Sequence, residues 1–275
     1  MAVRYVTELS DQEFINTVEQ STPVIITEQF KQWPATNNWS FDFFAKEYSN
    51  TVVTVDKQSS TIQQFVDSIE SGESVYMQQV TIENELLPLL EDLKPLPTYL
   101  QNCRARNPLM PKSFYYPNGI FELFMGGPGA GFFKLHYDLF FSHALIVQIK
   151  GRKHFRIFKH EDKSYLYTNP DHPHLSEIDN PFDPDLDKYP AFKQATPYDV
   201  TVNPGEAVLL PCGWWHTTRF DEPTIAIALN LINQSNWSVF VDDFVRCAKK
   251  AGTINGLIQK LRLTGIGIME SLKGN

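Results

Sequence analysis

From Phe121 to about Asn233 the chain runs as short apolar segments cut by glycine and proline, and this pattern restricts the fold more than any other feature. Segments so short suit strands rather than helices. Their repetition predicts a β-barrel or β-sandwich core. Upstream, elements of both kinds are expected. Ser10 to Glu19 begins with a capping serine and sets Phe14, Ile15 and Val18 on one helical face. Pro23–Glu28, Thr51–Val55 and Ser74–Gln79 read as strands, and Trp39–Glu47 and Thr61–Glu70 as helices. The proline-bearing stretch from Leu87 to Pro117 reads as a loop with short helices. Beyond Asn236, the residues Phe240, Phe244, Val245, Ile254, Leu257, Ile258 and Leu261 recur at helical spacing. The expected architecture is mainly β with flanking helices. An N-terminal α/β elaboration over residues 1–120 packs on a strand core over 121–235, and C-terminal helices fill 236–275.

A length of 275 residues fits one elaborated domain better than two. The net charge of −8 gives no general attraction to nucleic acid, and none is expected as a partner. The most basic stretch, Lys249 to Arg262, reads as the solvated face of a helix. Three widely spaced cysteines, Cys103, Cys212 and Cys247, make neither a disulfide framework nor a metal knuckle, and point to a reducing compartment. The sequence has no membrane-spanning apolar run and its first residues lack the layout of a secretory signal, so no membrane partner and a cytoplasmic location are expected.

Leu135-His136-Tyr137-Asp138 follows the glycine-rich Gly126–Gly131 and precedes an apolar stretch, so it reads as the start of an apolar strand. Residues two apart on a strand share a face, which aims His136 and Asp138 at one point. His216, about 80 residues later, follows a turn, a strand and a second turn, and is the expected third ligand. Two imidazoles and one carboxylate leave metal positions open, an arrangement suited to non-haem Fe(II) and O2. Gly126–Gly131 lacks the Lys-Ser/Thr of a phosphate loop and reads as a flexible lead-in to the metal strand. Asp171-His172-Pro173-His174 reads as a solvent-exposed loop, His154 and His160 flank a strand, and His143 is a candidate pocket residue.

In Lys153–Phe158 (KHFRIF), Lys153 shares a face with Phe155 and Ile157. If that face is the core, the buried ammonium needs a partner, which a bound dicarboxylate supplies. In Thr224–Leu231 the small residues Thr224, Ala226 and Ala228 share a face with Asn230, leaving room for a ligand beside an amide.

His136-Tyr137-Asp138, Gln148-Ile149-Lys150-Gly151 with Lys153, Tyr189-Pro190-Ala191-Phe192, and Asn203-Pro204-Gly205-Glu206 through Trp214-Trp215-His216 together resemble the JmjC and cupin-like oxygenases, above all their asparaginyl-hydroxylase branch. The similarity runs from about Pro23 to Trp237. It implies a double-stranded β-helix, or jelly roll, with iron on His136, Asp138 and His216 and 2-oxoglutarate as co-substrate. By the same resemblance Lys153 and Tyr76 contact the distal carboxylate of 2-oxoglutarate, Asn230 is a pocket asparagine near the iron, and Gln78 faces the substrate. Phe133 replaces a threonine of the asparaginyl hydroxylases, and the Asp138-to-Lys153 spacing is longer than theirs, which bears on substrate specificity. The implied reaction is hydroxylation of a protein or peptide side chain with release of succinate and CO2. N-methyl lysine or arginine demethylation, hydroxylation of a small molecule or RNA base, and a non-catalytic metal-binding cupin remain as alternatives. The C-terminal helices are expected either to form a homodimer or, through Phe240, Phe244 and Leu257, to cap the barrel's own end.

Overall fold

A computed structural model describes residues 3–101, 104–250, 260 and 263–267; Cys103, Ile254, Leu257, Ile258 and Leu261 lie outside the described residues. Five strands precede the predicted core: β1 (Arg4–Val6), β2 (Val24–Ile26), β3 (Val52–Val55), β4 (Gln58–Thr61) and β5 (Tyr76–Thr81). Eight more follow: β6 (Ile120–Gly126), β7 (Gly131–His136), β8 (His143–Lys150), β9 (Lys153–Phe158), β10 (Tyr198–Val202), β11 (Ala207–Leu210), β12 (Trp215–Arg219) and β13 (Thr224–Leu231).

These eight make the jelly roll. β11, β8, β13 and β6 are neighbours in a large sheet, and β10, β9, β12 and β7 form a small one. From β6 to β13 the chain switches sheets at every connection except β9 to β10. The N-terminal strands join the same hydrogen-bonded ladder, β1 and β2 beyond β11, and β5, β3 and β4 beyond β6.

The apolar patterning explains this layering. β8 is buried at every position but its last, as a strand covered on both faces must be. Leu145, Val147 and Ile149 face the outer core, while Ala144 and Ile146 face the space between the sheets. β2 divides likewise, with Val24 and Ile26 outward and Ile25 inward. The outer core is closed by helices that the sequence marks well. Asp11–Glu19 starts on a reciprocal capping box between Ser10 and Glu13. Ile62–Glu70 starts on one between Thr61 and Gln64, and buries Ile62, Phe65, Val66 and Ile69.

At the other end, the helix Trp237–Lys250 buries Phe240, Val241 and Val245 against Met110, Ile232, Leu263 and Ile266, with Phe244 packed at the margin. Phe240 is thus buried within its own chain. Cys212 and Cys247 form no disulfide. No helix among the described residues is long and apolar enough to cross a membrane.

The glycine-rich segment is a close-packed turn between β6 and β7 rather than a flexible lead-in. A Cβ on Gly127 would lie 2.2 Å from the Glu73 carbonyl oxygen, and one on Gly131 would lie 2.4 Å from that of Thr218. Thr218 belongs to β12, so an added methyl at Gly131 pushes β7 away from its partner strand. Gly131→Ala is therefore expected to destabilise the fold by about 3 kcal/mol, read by equilibrium denaturation, and to weaken metal binding in parallel. A variant of unchanged stability would show that the strand pair yields without strain.

Candidate metal centre

β7 ends on His136 and β12 carries His216 as its second residue. The two strands are antiparallel neighbours with His216 directly opposite His136, and the imidazole centroids stand 4.2 Å apart. Asp138 lies just past the strand, before a single 3-10 turn at Leu139–Phe141. The HxD motif therefore closes one strand instead of opening the next, and the expected apolar strand starts only at His143. The reason is the turn itself: Phe140 and Phe141 have φ of +59° and +51°, left-handed values that bulky side chains adopt at a cost. Aromatic contacts hold it. The Phe140 ring meets Phe114 at 4.9 Å and Phe240 at 6.1 Å, and Phe141 meets Tyr137 at 4.7 Å. The C-terminal helix thus supports the turn that aims Asp138.

One donor atom from each of His136, Asp138 and His216 lies within 4.8 Å of the others. His136 Nδ1 donates to the Lys134 carbonyl at 2.8 Å, and His216 Nδ1 to the Trp214 carbonyl at 3.3 Å. A carbonyl only accepts, so each Nδ1 carries the proton and each Nε2 keeps its lone pair. His136 Nε2 is 4.0 Å from Asp138 Oδ1. Burial, reinforced by His216, pushes His136 down to about 3, and burial pushes His216 down to about 4. Burial raises the Asp138 carboxyl, with His136 opposing. Two neutral imidazoles with oriented lone pairs beside a desolvated carboxylate fit a divalent metal, which would satisfy all three at once.

The cavity around the triad also takes in Tyr76, Gln79, Glu122, Phe124, Phe132, Lys153, Ala228 and Asn230. Lys153 is 3% exposed and shares its face with buried Phe155 and Ile157, as period-two alternation predicts. It forms no ion pair among the described residues, and its Nζ lies 5.8 Å from the Phe124 ring centre and 5.6 Å from that of Phe220. Burial alone pushes it down to about 7. On β13, Ala228 and Asn230 face the cavity. Asn230 accepts from Ser142 Oγ at 3.1 Å and donates to Glu122 Oε2 at 3.2 Å. Tyr76 is buried at the cavity wall, and burial raises its phenol.

Gln78 does not line the cavity; Gln79 does. The β5–β6 ladder shifts register between Met77 and Val80, and Gln79 sits at φ +58°. This bulge reverses the alternation, so the next residue points inward. The Gln78 amide oxygen is buried without a hydrogen-bond partner among the described residues.

Glu122 was not singled out from the sequence. Within Ile120–Gly126 (IFELFMG), Phe121, Leu123 and Met125 pack into the outer core, so Glu122 and Phe124 face the cavity. The same alternation that places Lys153 could have found this lone acid in an apolar strand. Burial, then the charge of Asp138, pushes its carboxyl up to about 7, while the Asn230 hydrogen bond opposes them.

The other histidines lie elsewhere. His143 is a core residue, not a pocket residue. Its Nδ1 accepts from the Cys212 N–H at 2.8 Å, its Nε2 pairs with Ser235 Oγ at 2.8 Å, and burial pushes it down to about 4. His154 pairs with Thr201 and Asp221, and His160 with the Gly213 carbonyl. The expected solvent loop at Asp171–His174 is exposed only in its first half. The His174 carbonyl accepts from Tyr137 N–H at 3.1 Å, Leu175 bridges to His136, and the Ser176 N–H donates to Leu135 at 2.8 Å. Unpaired backbone at the edge of β7 draws the insert in.

A family model described as "Cupin-like domain" matches residues 10–234. Lysine-specific demethylase JMJ21 of Arabidopsis thaliana is 25% identical over 252 residues, covering 83% of this chain and 25% of that protein. tRNA wybutosine-synthesizing protein 5 of Homo sapiens is 24% identical over 239 residues, covering 78% of this chain and 72% of that protein. HSPB1-associated protein 1 of Homo sapiens is 29% identical over 113 residues, covering 40% and 22% of the two chains. The chain spans about a quarter of the length of the Arabidopsis protein and of a Mus musculus wybutosine-synthesizing relative.

Proposed function

The chain belongs to the cupin-like domain family, and from that premise we propose that it is an Fe(II)- and 2-oxoglutarate-dependent oxygenase that hydroxylates a side chain of a protein or peptide. The observation that carries the reading is the sharing of one cavity by the His136, Asp138 and His216 triad and a buried Lys153 with no ion-pair partner among the described residues. A metal site alone explains the triad but gives no reason to bury an ammonium. A dicarboxylate co-substrate gives one.

With dioxygen, bound iron and 2-oxoglutarate supply the conversion of a substrate C–H bond to C–OH, with release of succinate and CO2. The residues of this chain supply binding, orientation and exclusion of water. His136, Asp138 and His216 would hold the metal. Lys153 would take the distal carboxylate, and Tyr76 and Asn230 bring a hydroxyl and an amide to the same cavity. Phe124, Phe132 and Phe155 keep water from the reacting atoms.

Demethylation of an N-methyl group would use the same centre, and the name of the Arabidopsis relative attaches that activity to that protein. A net charge of −8 favours a peptide over RNA as the partner.

The test is anaerobic titration of the apo protein with Fe(II) and 2-oxoglutarate, following the visible metal-to-ligand charge-transfer band, and then succinate release on admitting air. A band that saturates with 2-oxoglutarate is expected. Folded protein that binds Fe(II) but gives no band leaves a non-catalytic metal-binding cupin as the reading.

A further inference from the structure

Resting on the oxygenase reading, we infer that Glu122 is a specificity residue that receives the cationic group of a guanidinium- or ammonium-bearing side chain beside the metal. Three observations carry the inference.

The first is placement. β6 turns Glu122 into the cavity that holds the triad, and Asn230 secures one carboxylate oxygen, Oε2, through a hydrogen bond of 3.2 Å. The other oxygen accepts no hydrogen bond from a described residue. Asn230 is fixed in turn by Ser142, so the carboxylate is held at a set position on the wall.

The second is separation. Glu122 and Lys153 line the same cavity yet form no ion pair. A carboxylate and an ammonium in one desolvated space attract strongly, so a fold that keeps them apart leaves each to a different ligand. Lys153 is matched by the distal carboxylate of the co-substrate.

The third is charge balance. A divalent metal with Asp138, and a dicarboxylate with Lys153, together sum to neutrality. Glu122 remains as the acid of this cavity left without a counter-charge, in a space walled by Tyr76, Phe124 and Phe132, and its raised carboxyl holds a full negative charge at neutral pH only with a cation beside it. A single substrate cation completes it, and aromatic faces beside a carboxylate are surroundings that favour guanidinium and ammonium groups. A neutral carboxamide side chain would bring Glu122 no counter-charge and leave its carboxyl to take up a proton instead.

The full-length chain, loaded anaerobically with Fe(II) and 2-oxoglutarate, is titrated with capped peptides that differ at one position: arginine, its neutral isostere citrulline, lysine, or neutral norleucine. Perturbation of the visible band reports substrate arrival. Wild type is expected to bind at least one cation about tenfold or more tightly over its neutral counterpart. Glu122→Gln should bring that ratio below about twofold while its own band still forms with 2-oxoglutarate. Absence of cation preference in wild type, or its survival in Glu122→Gln, overturns the inference. Loss of the band in Glu122→Gln also overturns it, because Glu122 would then serve the co-substrate. A wild type without any band brings down the oxygenase reading as well, so the two failures are distinguishable.

Discussion

Asp138→Ala is expected to lower Fe(II) affinity by more than about 100-fold and to erase the co-substrate band, while the apo protein stays at least as stable as wild type. Two imidazoles remain in that variant, and they lack the charge that makes the site selective for a hard dication. The stability half follows from what Asp138 does in the absence of metal. It precedes the Leu139–Phe141 turn without capping it through its side chain, and its charge helps to push Glu122 up to about 7. Burial raises the Asp138 carboxyl above its ordinary value of 3.8. A carboxyl whose folded-state pKa exceeds its unfolded value costs stability once the pH passes the unfolded value, and that cost persists at neutral pH. Removing the carboxylate removes it. Denaturation midpoints of the two apo proteins at pH 7, with Fe(II) titration of each, decide the matter. A clearly destabilised apo variant would mean that Asp138 holds the turn as well as the metal.

The parts of this site that were legible in the sequence are those set by local periodicity. Lys153, Phe155 and Ile157 share a face because side chains alternate along a strand, and Ala228 and Asn230 reach the cavity for the same reason. The capping serine at Ser10 was also local, and its helix starts there. Long-range register could not be read in this way. That His216 sits directly across from His136 depends on β12 pairing with β7, and no spacing of residues states which strands become neighbours. Backbone irregularity is hidden too. The bulge that exchanges Gln78 for Gln79 rests on a positive φ at a glutamine, where no glycine or asparagine signals it. The left-handed pair Phe140 and Phe141 is masked likewise, because the apolar run that reads as continuing strand is in fact a turn held by rings from Phe114 and the C-terminal helix. Glycines were misread in the opposite direction: Gly127 and Gly131 looked like a source of flexibility, and they are positions where two backbones approach too closely for a Cβ.

Lys153→Met is expected to separate folding from function. It should stabilise the apo protein by about 2–4 kcal/mol at pH 7, and weaken 2-oxoglutarate binding by about 100- to 1000-fold. Methionine fills a similar volume among Phe124, Phe155 and Phe220 with no charge to desolvate. Wild-type Lys153 is 3% exposed with no ion-pair partner among the described residues, and burial alone brings its amine from an ordinary 10.5 down to about 7. Between those values the unfolded chain binds more protons than the folded one, so wild-type stability rises with pH across that window. The penalty is complete below about pH 7 and vanishes above the unfolded value near 10.5. The variant lacks that slope, and its advantage should shrink as the pH is raised from 7 toward 10.5. Binding runs the other way: a dicarboxylate requires the charged amine, so wild type should take up protons when 2-oxoglutarate binds above about pH 7, and Lys153→Met should not. Denaturation at several pH values, with calorimetric titration in buffers of different ionisation enthalpy, measures both effects. A variant that gains stability yet keeps its co-substrate affinity would show that the buried lysine is not the carboxylate's partner. One that loses stability would show that the ammonium already has a counter-charge in the folded protein.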